Sequence, residues 1–224
     1  MLDFRIEKKY IENKGIGLFA SAPIEKHTII LKETSEFILE PHTLIISDMF
    51  QLLYKILTSS NPKAISKFHN LMPTTTTNFT QHQSNILLEL DKLCSTIYHY
   101  IYTYFKTTYT TDELLLLSAK YMCNAFEFGS SPIILFTGAQ INHSCLPNVI
   151  FKKKGKFMIF YTVTNIKAGE EICDTYVDIS LDKQKRHSRL LNQYGFTCLC
   201  IRCTKKLNCY DTQIKEIIKL KATI

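Results

Sequence analysis

The sequence predicts an α+β fold in which helices interrupt two regions of short strands. Phe4-Arg-Ile6-Glu7 alternates between apolar and polar residues, and Thr28–Glu33 is rich in β-branched residues. From residue 40 to about residue 122, apolar side chains recur every three or four positions, and β-branched runs then return. Alternation indicates strands, whereas the longer period indicates helices.

The elements follow in chain order. The glycine-containing segment 13–20 predicts a tight turn. Apolar periodicity predicts four helices, over residues 44–57, 64–72, 85–105 and 111–122. The threonine-rich strip 73–83 separates two of them as a loop. Later strands are predicted at Val149–Phe151, at Phe157–Tyr161 and after the turn 166–169, and a basic helix over about 181–193. We divide the chain into four parts, residues 1–39, 40–122, 123–180 and 181–224.

Composition narrows the classes of function. The chain has 224 residues and a formal net charge of +7, concentrated in Lys152–Lys156 and Lys183–Arg189. We interpret the first run as a hairpin turn and the second as the exposed face of a helix. Direct nucleic-acid binding is therefore not expected. No run approaches 18 uncharged apolar residues, so we expect no membrane span. The first residues lack a secretory signal, which favours an intracellular location, in the nucleus or the cytoplasm.

Three cysteines within six residues indicate a metal site. Cys198, Cys200 and Cys203 lie in a short polar strip, and an intracellular compartment disfavours disulfides. A structural zinc takes four ligands in a tetrahedron, so one more ligand must come from elsewhere. Spacing alone does not distinguish Cys145 from Cys209 as that ligand. We expect about one zinc per chain.

Four separated segments resemble the SET domain family, in the order that family has them. They are Lys14–Phe19, Asn142–Asn148, Gly169–Tyr176 and Tyr194–Cys203. The Asn-His-Ser-Cys motif and the form of the tail are most similar to the SET and MYND domain subfamily. The resemblance implies a SET-domain fold of short β-sheets with a threaded segment (a pseudoknot), a helical insertion and a zinc-binding post-SET tail.

The sequence departs from that subfamily in two respects that affect which partners can be expected. The predicted insertion holds only Cys94 and a few scattered histidines, so we expect no MYND zinc finger. We also expect no large carboxy-terminal helical domain. The first and third parts of the chain then form the SET domain, residues 40–122 the helical insertion, and residues 181–224 the post-SET region.

The resemblance implies transfer of a methyl group from S-adenosylmethionine to a lysine of a protein substrate, with histone tails as the usual substrate of the family. Tyr176 matches the catalytic tyrosine and Tyr194 the second aromatic residue of the lysine channel. Phe196 matches the residue that stacks on the cofactor's adenine. Tyr176 and Tyr194 border the cofactor as well. Positioning is expected to dominate catalysis, because a lysine amine needs alignment more than acid–base help.

Further cofactor contacts follow from the resemblance. Lys14, Gly15 and Gly17 match the turn at the carboxylate end of the cofactor. The other matches are Asn142, His143 and Asn124. Threading of the Asn-His-Ser-Cys segment through the tail implies that Cys145, rather than Cys209, completes the zinc site.

Two other functions are open at this stage. A catalytically inactive SET-like scaffold would bind zinc and protein without transferring a methyl group. A zinc-dependent nucleic-acid module would bind DNA with a steep salt dependence and would not bind S-adenosylmethionine. For Glu171 and Asp174, binding of a basic segment of the substrate is one alternative, and a structural or solvated role is the favoured interpretation. Small core positions are expected for Cys94, Cys123 and Cys173.

Overall fold

The computed structural model describes residues 1–12, 14–39, 48–205 and 211–223. Contacts separate the chain into two compact units, residues 1–34 with 137–224, and residues 35–136. The described strands are β1 (Ile6–Ile11), β2 (Gly15–Ala20), β3 (Ile29–Glu33), β4 (Ala125–Phe128), β5 (Ser131–Ile134), β6 (Asn142–His143), β7 (Val149–Lys154), β8 (Phe157–Thr162) and β9 (Glu171–Asp174). The described helices are α1 (Asp48–Leu57), α2 (Pro62–His69), α3 (Gln83–Asp91), α4 (His99–Thr108), α5 (Thr111–Asn124), α6 (Lys183–Tyr194), α7 (Ile201–Thr204) and α8 (Asp211–Thr223).

The predicted α+β class is confirmed, and the four-part division of the chain stays a prediction. In the described parts of the chain, no helix combines the length and the apolar character that a membrane crossing requires.

The first unit holds a four-stranded sheet in the order β1-β2-β9-β6. Strands β1 and β2 form an antiparallel hairpin, and β9 continues the sheet antiparallel to β2. Strand β6 then pairs in parallel with β9, with Asn142 opposite Cys173. The sheet therefore brings residues from three distant parts of the chain side by side.

The predicted turn at 13–20 is wrong over most of its length, because Gly15–Ala20 is strand β2. Gly15 has a φ of 79°, which a glycine adopts at low cost, and it opens the strand immediately after the turn. Most of the strand is buried, with Ile16 exposed and Phe19 half-buried, so β2 packs on both faces over much of its length. Asn13 lies outside the described residues.

A second sheet, in the order β3-β8-β7, packs an apolar cluster in this unit. The hairpin predicted around the Lys/Gly turn is confirmed, with β7 antiparallel to β8 and Gly155 at a φ of 57°. Helix α8, which the sequence analysis did not predict, packs Ile214 and Ile217 against Ile150 and Ile159 of this sheet. Apolar burial of this kind is the principal stabilising contribution to a fold.

The second unit is helical, with one hairpin. Helices α1, α2 and α5 confirm three predicted helices, although residues 44–47 lie outside the described part of the chain. Helix α5 begins with a capping box between Thr110 and Glu113. The hairpin of β4 and β5 was not predicted.

The single helix predicted over residues 85–105 is wrong, because the structure has α3 and α4 with turns between them. Thr96 explains the interruption. Its hydroxyl donates to the carbonyl of Leu93 at 2.9 Å and accepts from the amide of Tyr98 at 3.0 Å. Such local side-chain bonds compete with helical hydrogen bonds. Cys94, expected in the core, is exposed in the same turn.

Candidate functional site

The carboxy-terminal end of helix α6 positions two aromatic side chains, Tyr194 and Phe196, in the first unit. Asp182 caps its start by accepting from the amide of Lys185 at 2.8 Å. Gly195 ends it with a φ of 73°, the left-handed conformation that favours glycine at this position. Tyr194 is the last helical residue, and the reversal at Gly195 turns Phe196 back toward the same cluster.

The rings of four residues form this aromatic cluster. Tyr176 and Tyr194 lie with their ring centroids 4.8 Å apart. His143 lies 5.3 Å from Tyr176 and 5.9 Å from Phe196. Tyr194 and Phe196 are separated by 6.4 Å. Four residues expected around the lysine channel and adenine are therefore neighbours, although they come from three separate segments.

Hydrogen bonds hold the two tyrosines in position. The hydroxyl of Tyr176 donates to the carbonyl of Ile141 at 2.7 Å. The hydroxyl of Tyr194 donates to the carbonyl of Tyr176 at 3.4 Å, which is a long contact. The Tyr176 hydroxyl is thus directed at the strand segment that carries Asn142 and His143.

His143 connects the aromatic cluster to the cysteines. Its Nδ1 accepts from the amide of Tyr176 at 3.0 Å, and its Nε2 lies 3.3 Å from Cys145 Sγ. Since an amide can only donate, the proton of the neutral ring is on Nε2, which donates to the sulfur. Burial lowers the pKa of His143 to about 4, so the ring is neutral at physiological pH.

The four predicted zinc ligands converge. The sulfurs of Cys145, Cys198, Cys200 and Cys203 all lie within 4.8 Å of one another. A tetrahedral zinc with Zn–S bonds of about 2.3 Å requires sulfurs about 3.8 Å apart, so the four thiols fit that geometry with a small contraction. Cys209, the alternative ligand, lies outside the described residues. Assignment of the ligands stays a prediction.

Neighbouring thiols shift the pKa values of Cys145 and Cys200. Hydrogen bonds with Cys198 and Cys200, followed by burial, raise the pKa of Cys145. Hydrogen bonds from Cys145 and Cys198 lower the pKa of Cys200. Four sulfurs at this separation cannot all be ionised without a nearby positive charge, and a divalent metal supplies such a charge.

Two arginines border the cysteines, and the sequence analysis missed both. Arg186 is 3% exposed, which contradicts the interpretation of residues 183–189 as a wholly exposed face. Its Nη2 lies 3.8 Å from Cys203 Sγ. Arg202 donates to the carbonyls of Cys145 at 3.1 Å and Ile179 at 2.9 Å. The sequence position of Arg202, between Cys200 and Cys203, was the feature from which its place beside the thiols could have been predicted.

The predicted cofactor turn forms a polar region with residues of strands β6 and β9. Lys14 Nζ lies 3.1 Å from Glu171 Oε2, and Asn142 Nδ2 donates to Glu171 Oε1 at 2.9 Å. A Cβ at Gly17 would lie 2.8 Å from Asn142 Nδ2. The missing side chain at Gly17 therefore lets the Asn142 amide approach the backbone of β2 closely. Gly15 lies in the same hairpin as Gly17, at the start of β2.

Asn124 belongs to the second unit and is described there alone. Its Nδ2 donates to the carbonyls of Met72 at 2.6 Å and Lys120 at 2.7 Å. Burial lowers the pKa of Lys120, whose ammonium donates to the carbonyls of Leu71 and Pro73. The predicted contact between Asn124 and the cofactor stays a prediction.

Comparison with known proteins identifies related sequences. A SET domain-containing protein of Acanthamoeba polyphaga mimivirus is 42% identical over 215 residues, which cover 96% of this chain and 84% of that protein. Human N-lysine methyltransferase SMYD2 is 38% identical over 101 residues, which cover 42% of this chain and 23% of that protein. The chain thus spans about a quarter of SMYD2.

Comparison with solved structures supports the fold. The SET domain of LSMT bound to lysine and AdoHcy superposes with a TM-score of 0.61 at 16% identity, over 88% of this chain and 54% of that chain. At this identity the similarity concerns the fold alone. A family model described as the SET domain matches residues 15–177. This match and the viral relative confirm the expected resemblance: the chain belongs to the SET domain family.

Proposed function

We propose that this chain is an S-adenosylmethionine-dependent protein-lysine N-methyltransferase. The observation that carries the proposal is the close pairing of Tyr176 and Tyr194, beside His143 and Phe196, in a chain of the SET domain family. The related SMYD2 is named as an N-lysine methyltransferase, and the LSMT domain of similar fold was solved with lysine and AdoHcy. Both support the same reaction here.

The aromatic pair has a defined task in this reaction. A lysine ammonium, with a reference pKa of about 10.4, has no lone pair to attack with. The rings of Tyr176 and Tyr194, with centroids 4.8 Å apart, would form an apolar surface of low dielectric constant. Such a surface disfavours the charged form of a lysine side chain that lies along it. Tyr176 would orient the neutral amine through its hydroxyl, exchanging its present bond to the Ile141 carbonyl.

The polar region would hold the other reactant. S-adenosylmethionine, when bound, supplies a methyl group attached to a positively charged sulfur. Lys14 would pair with the carboxylate of its amino-acid end, and the backbone at Gly15 and Gly17 permits close approach. Asn142 would bind the methionyl group, while His143 and Phe196 would border the adenine. Catalysis would then depend mainly on alignment of the amine with the methyl carbon.

We further propose a structural zinc at Cys145, Cys198, Cys200 and Cys203. These residues would hold the ion in a closed site without an open coordination position, which excludes a direct role in the reaction. Three of the cysteines closely follow Tyr194 and Phe196 in sequence, and all four belong to the same apolar cluster as these aromatic residues. The metal would therefore keep the tail folded over the aromatic residues.

A transfer assay tests the enzyme proposal. Full-length protein should transfer labelled methyl groups from S-adenosylmethionine to lysine in histone tails or in a lysate. Tyr176→Phe should lower the rate by about 100-fold, as expected for loss of one positioning hydroxyl in the transition state. Tyr161→Phe is the matched control, because the Tyr161 hydroxyl is buried without a hydrogen-bond partner in the described structure.

Each result has a distinct meaning. Cofactor binding without transfer to any protein would support the inactive scaffold. Unchanged activity in Tyr176→Phe would remove Tyr176 from its proposed role. A peptide array would then test histone tails against other lysine-containing sequences, and an absence of signal on histone peptides would refute the histone assignment while leaving lysine methylation intact.

A further inference from the structure

Glu171 occupies the centre of the polar region, although the sequence analysis interpreted it as structural or solvated. Its two carboxylate oxygens serve different partners. Oε2 pairs with Lys14 Nζ at 3.1 Å, and Oε1 accepts from Asn142 Nδ2 at 2.9 Å. The Glu171 side chain is 21% exposed and the Lys14 side chain 50% exposed, so the region is open to a ligand from solvent.

The sheet places these three groups together. Glu171 is the first residue of β9 and pairs with Phe19 of β2, while Asn142 begins β6 on the other side of β9. Gly17 makes the approach possible, because a Cβ there would lie 3.3 Å from Glu171 Oε1 and closer still to Asn142 Nδ2. Strand pairing and the absence of a side chain at Gly17 thus allow Lys14 and Asn142 to donate to the Glu171 carboxylate.

The carboxylate fixes the orientation of the Asn142 amide. An ionised carboxylate only accepts hydrogen bonds, so the NH2 group of Asn142 must face Glu171. The amide oxygen then faces the opposite direction, where it can accept from a donor. Lys14 presents a cation close by. Together they offer an acceptor and a positive charge, which complement the ammonium and carboxylate of a free amino-acid group.

We propose that Glu171 is the positioning residue for the amino-acid end of the cofactor, an inference that rests on the proposed function. It acts through its neighbours: it holds the Asn142 oxygen toward the α-ammonium of the ligand and keeps the Lys14 ammonium beside the α-carboxylate. Glu171 therefore sets which ends of the zwitterion are recognised. It is distinct from the residues that border the adenine or the lysine channel.

A purely structural role for Glu171 makes a different prediction. If the carboxylate only ties β9 to β6, its loss would weaken every ligand of the site equally. If it positions Asn142 and Lys14, its loss would affect only ligands that carry an amino-acid group. S-adenosylhomocysteine carries that group, whereas 5′-methylthioadenosine shares its adenosine and thioether and lacks it.

Isothermal titration of the full chain with both ligands tests the proposal. Glu171→Gln retains the size of the side chain but has one acceptor oxygen, so it can keep at most one of the two contacts. We expect binding of S-adenosylhomocysteine to weaken roughly tenfold. Binding of 5′-methylthioadenosine should stay within about twofold, because adenosine recognition is untouched.

Two further variants complete the test. Glu170→Gln is the matched control, since the neighbouring carboxylate instead accepts from the amide of Lys167 at 2.9 Å and from Asn148 Nδ2 at 3.3 Å. It should leave both affinities unchanged. Lys14→Met replaces a half-exposed ammonium by an apolar group, and it should reproduce the ligand-selective loss even if Glu171→Gln proves unstable.

The outcomes separate this inference from the proposed function. Equal losses for both ligands, or no loss for either, in Glu171→Gln and Lys14→Met would overturn the role of Glu171. If wild-type protein binds neither ligand, the proposed function fails first. Binding and methyl transfer by the wild type together with the selective loss in the variants would support both.

Discussion

The two ends of the candidate site are built in opposite ways. The cysteine end, with Cys145 and His143, is buried and held by close packing. The polar end, with Lys14 and Glu171, is partly exposed and held by an ion pair. Charge interactions at exposed positions contribute little to stability, whereas buried contacts contribute much. We therefore expect the buried end to determine whether the site forms, and the polar end to determine what it binds.

The largest effect should come from breaking the buried end. Cys145→Ser is expected to release the zinc and to lower cofactor affinity together, because structural zinc sites contribute about 10 kcal/mol or more to folding. Metal analysis and thermal denaturation measure both. Cys94→Ser, at an exposed cysteine, should change neither. Retention of zinc in Cys145→Ser with its loss in Cys209→Ser would assign the fourth ligand to Cys209.

A smaller effect should follow from adding a methyl group at Gly17, in the polar end of the site. Gly17→Ala places a Cβ 2.7 Å from Ile11 Cδ1 and 2.8 Å from Asn142 Nδ2. Both are side-chain ends that can move, so stability should fall by only about 1 kcal/mol. Affinity for S-adenosylhomocysteine should fall roughly tenfold, because Asn142 is displaced. A large loss of stability, measured by denaturant titration, would show that this end also supports the fold.

A third prediction concerns the free-energy cost of burying the carboxyl group of Asp174 in strand β9. Burial raises the pKa of Asp174 to about 6, and its Oδ1 has no hydrogen-bond partner in the described structure. Its folded pKa lies above the unfolded value, so its contribution to stability is present below about pH 4 and is lost as pH rises through 6.

Asp174→Asn should therefore gain stability relative to wild type between pH 4 and pH 7, by on the order of 2 kcal/mol. Denaturant titrations across this range measure the change. Asp178→Asn is the control of opposite sign, because a hydrogen bond from Ser180 lowers the pKa of Asp178. A pH-independent difference between Asp174→Asn and wild type would contradict the assignment of a raised pKa to Asp174.

The smallest effect concerns salt. The Lys14–Glu171 pair is partly exposed, so ions should screen both the pair and its attraction for a zwitterionic ligand. Raising the salt from 0.05 to 0.5 M should weaken S-adenosylhomocysteine binding by about twofold and leave zinc content unchanged. Zinc loss over this range would show that the buried end is also sensitive to screening.

Sequence motifs predicted the contents of the site better than its arrangement. Three of the cysteines followed from their spacing, whereas Cys145 and the pairing of Tyr176 with Tyr194 followed from the resemblance to the SET domain family. The break around Thr96 did not, because apolar periodicity continues through it, while a local hydroxyl bond competes there with helical hydrogen bonds. The burial of Arg186 was missed since a basic run alone does not show which member faces the core.

Long-range contacts account for the remaining differences. The role inferred for Glu171 depends on the pairing of β9 with both β2 and β6, which no local pattern encodes. Helix α8 was missed although its apolar residues are periodic, and its burial depends on a sheet more than fifty residues earlier. The sequence thus indicated which residues the site contains, whereas the contacts between them depend on the register of the sheets.

The pairing of Phe19 with Glu171 also has a consequence for biosynthesis. The amino-terminal hairpin is made early, but its sheet partner emerges about 150 residues later, which takes roughly 10–30 s at ordinary translation speeds. Tyr194 and the last cysteines follow after that. The nascent chain must therefore keep an unpaired strand edge from aggregating until residue 171 has left the ribosome, so this sheet forms late.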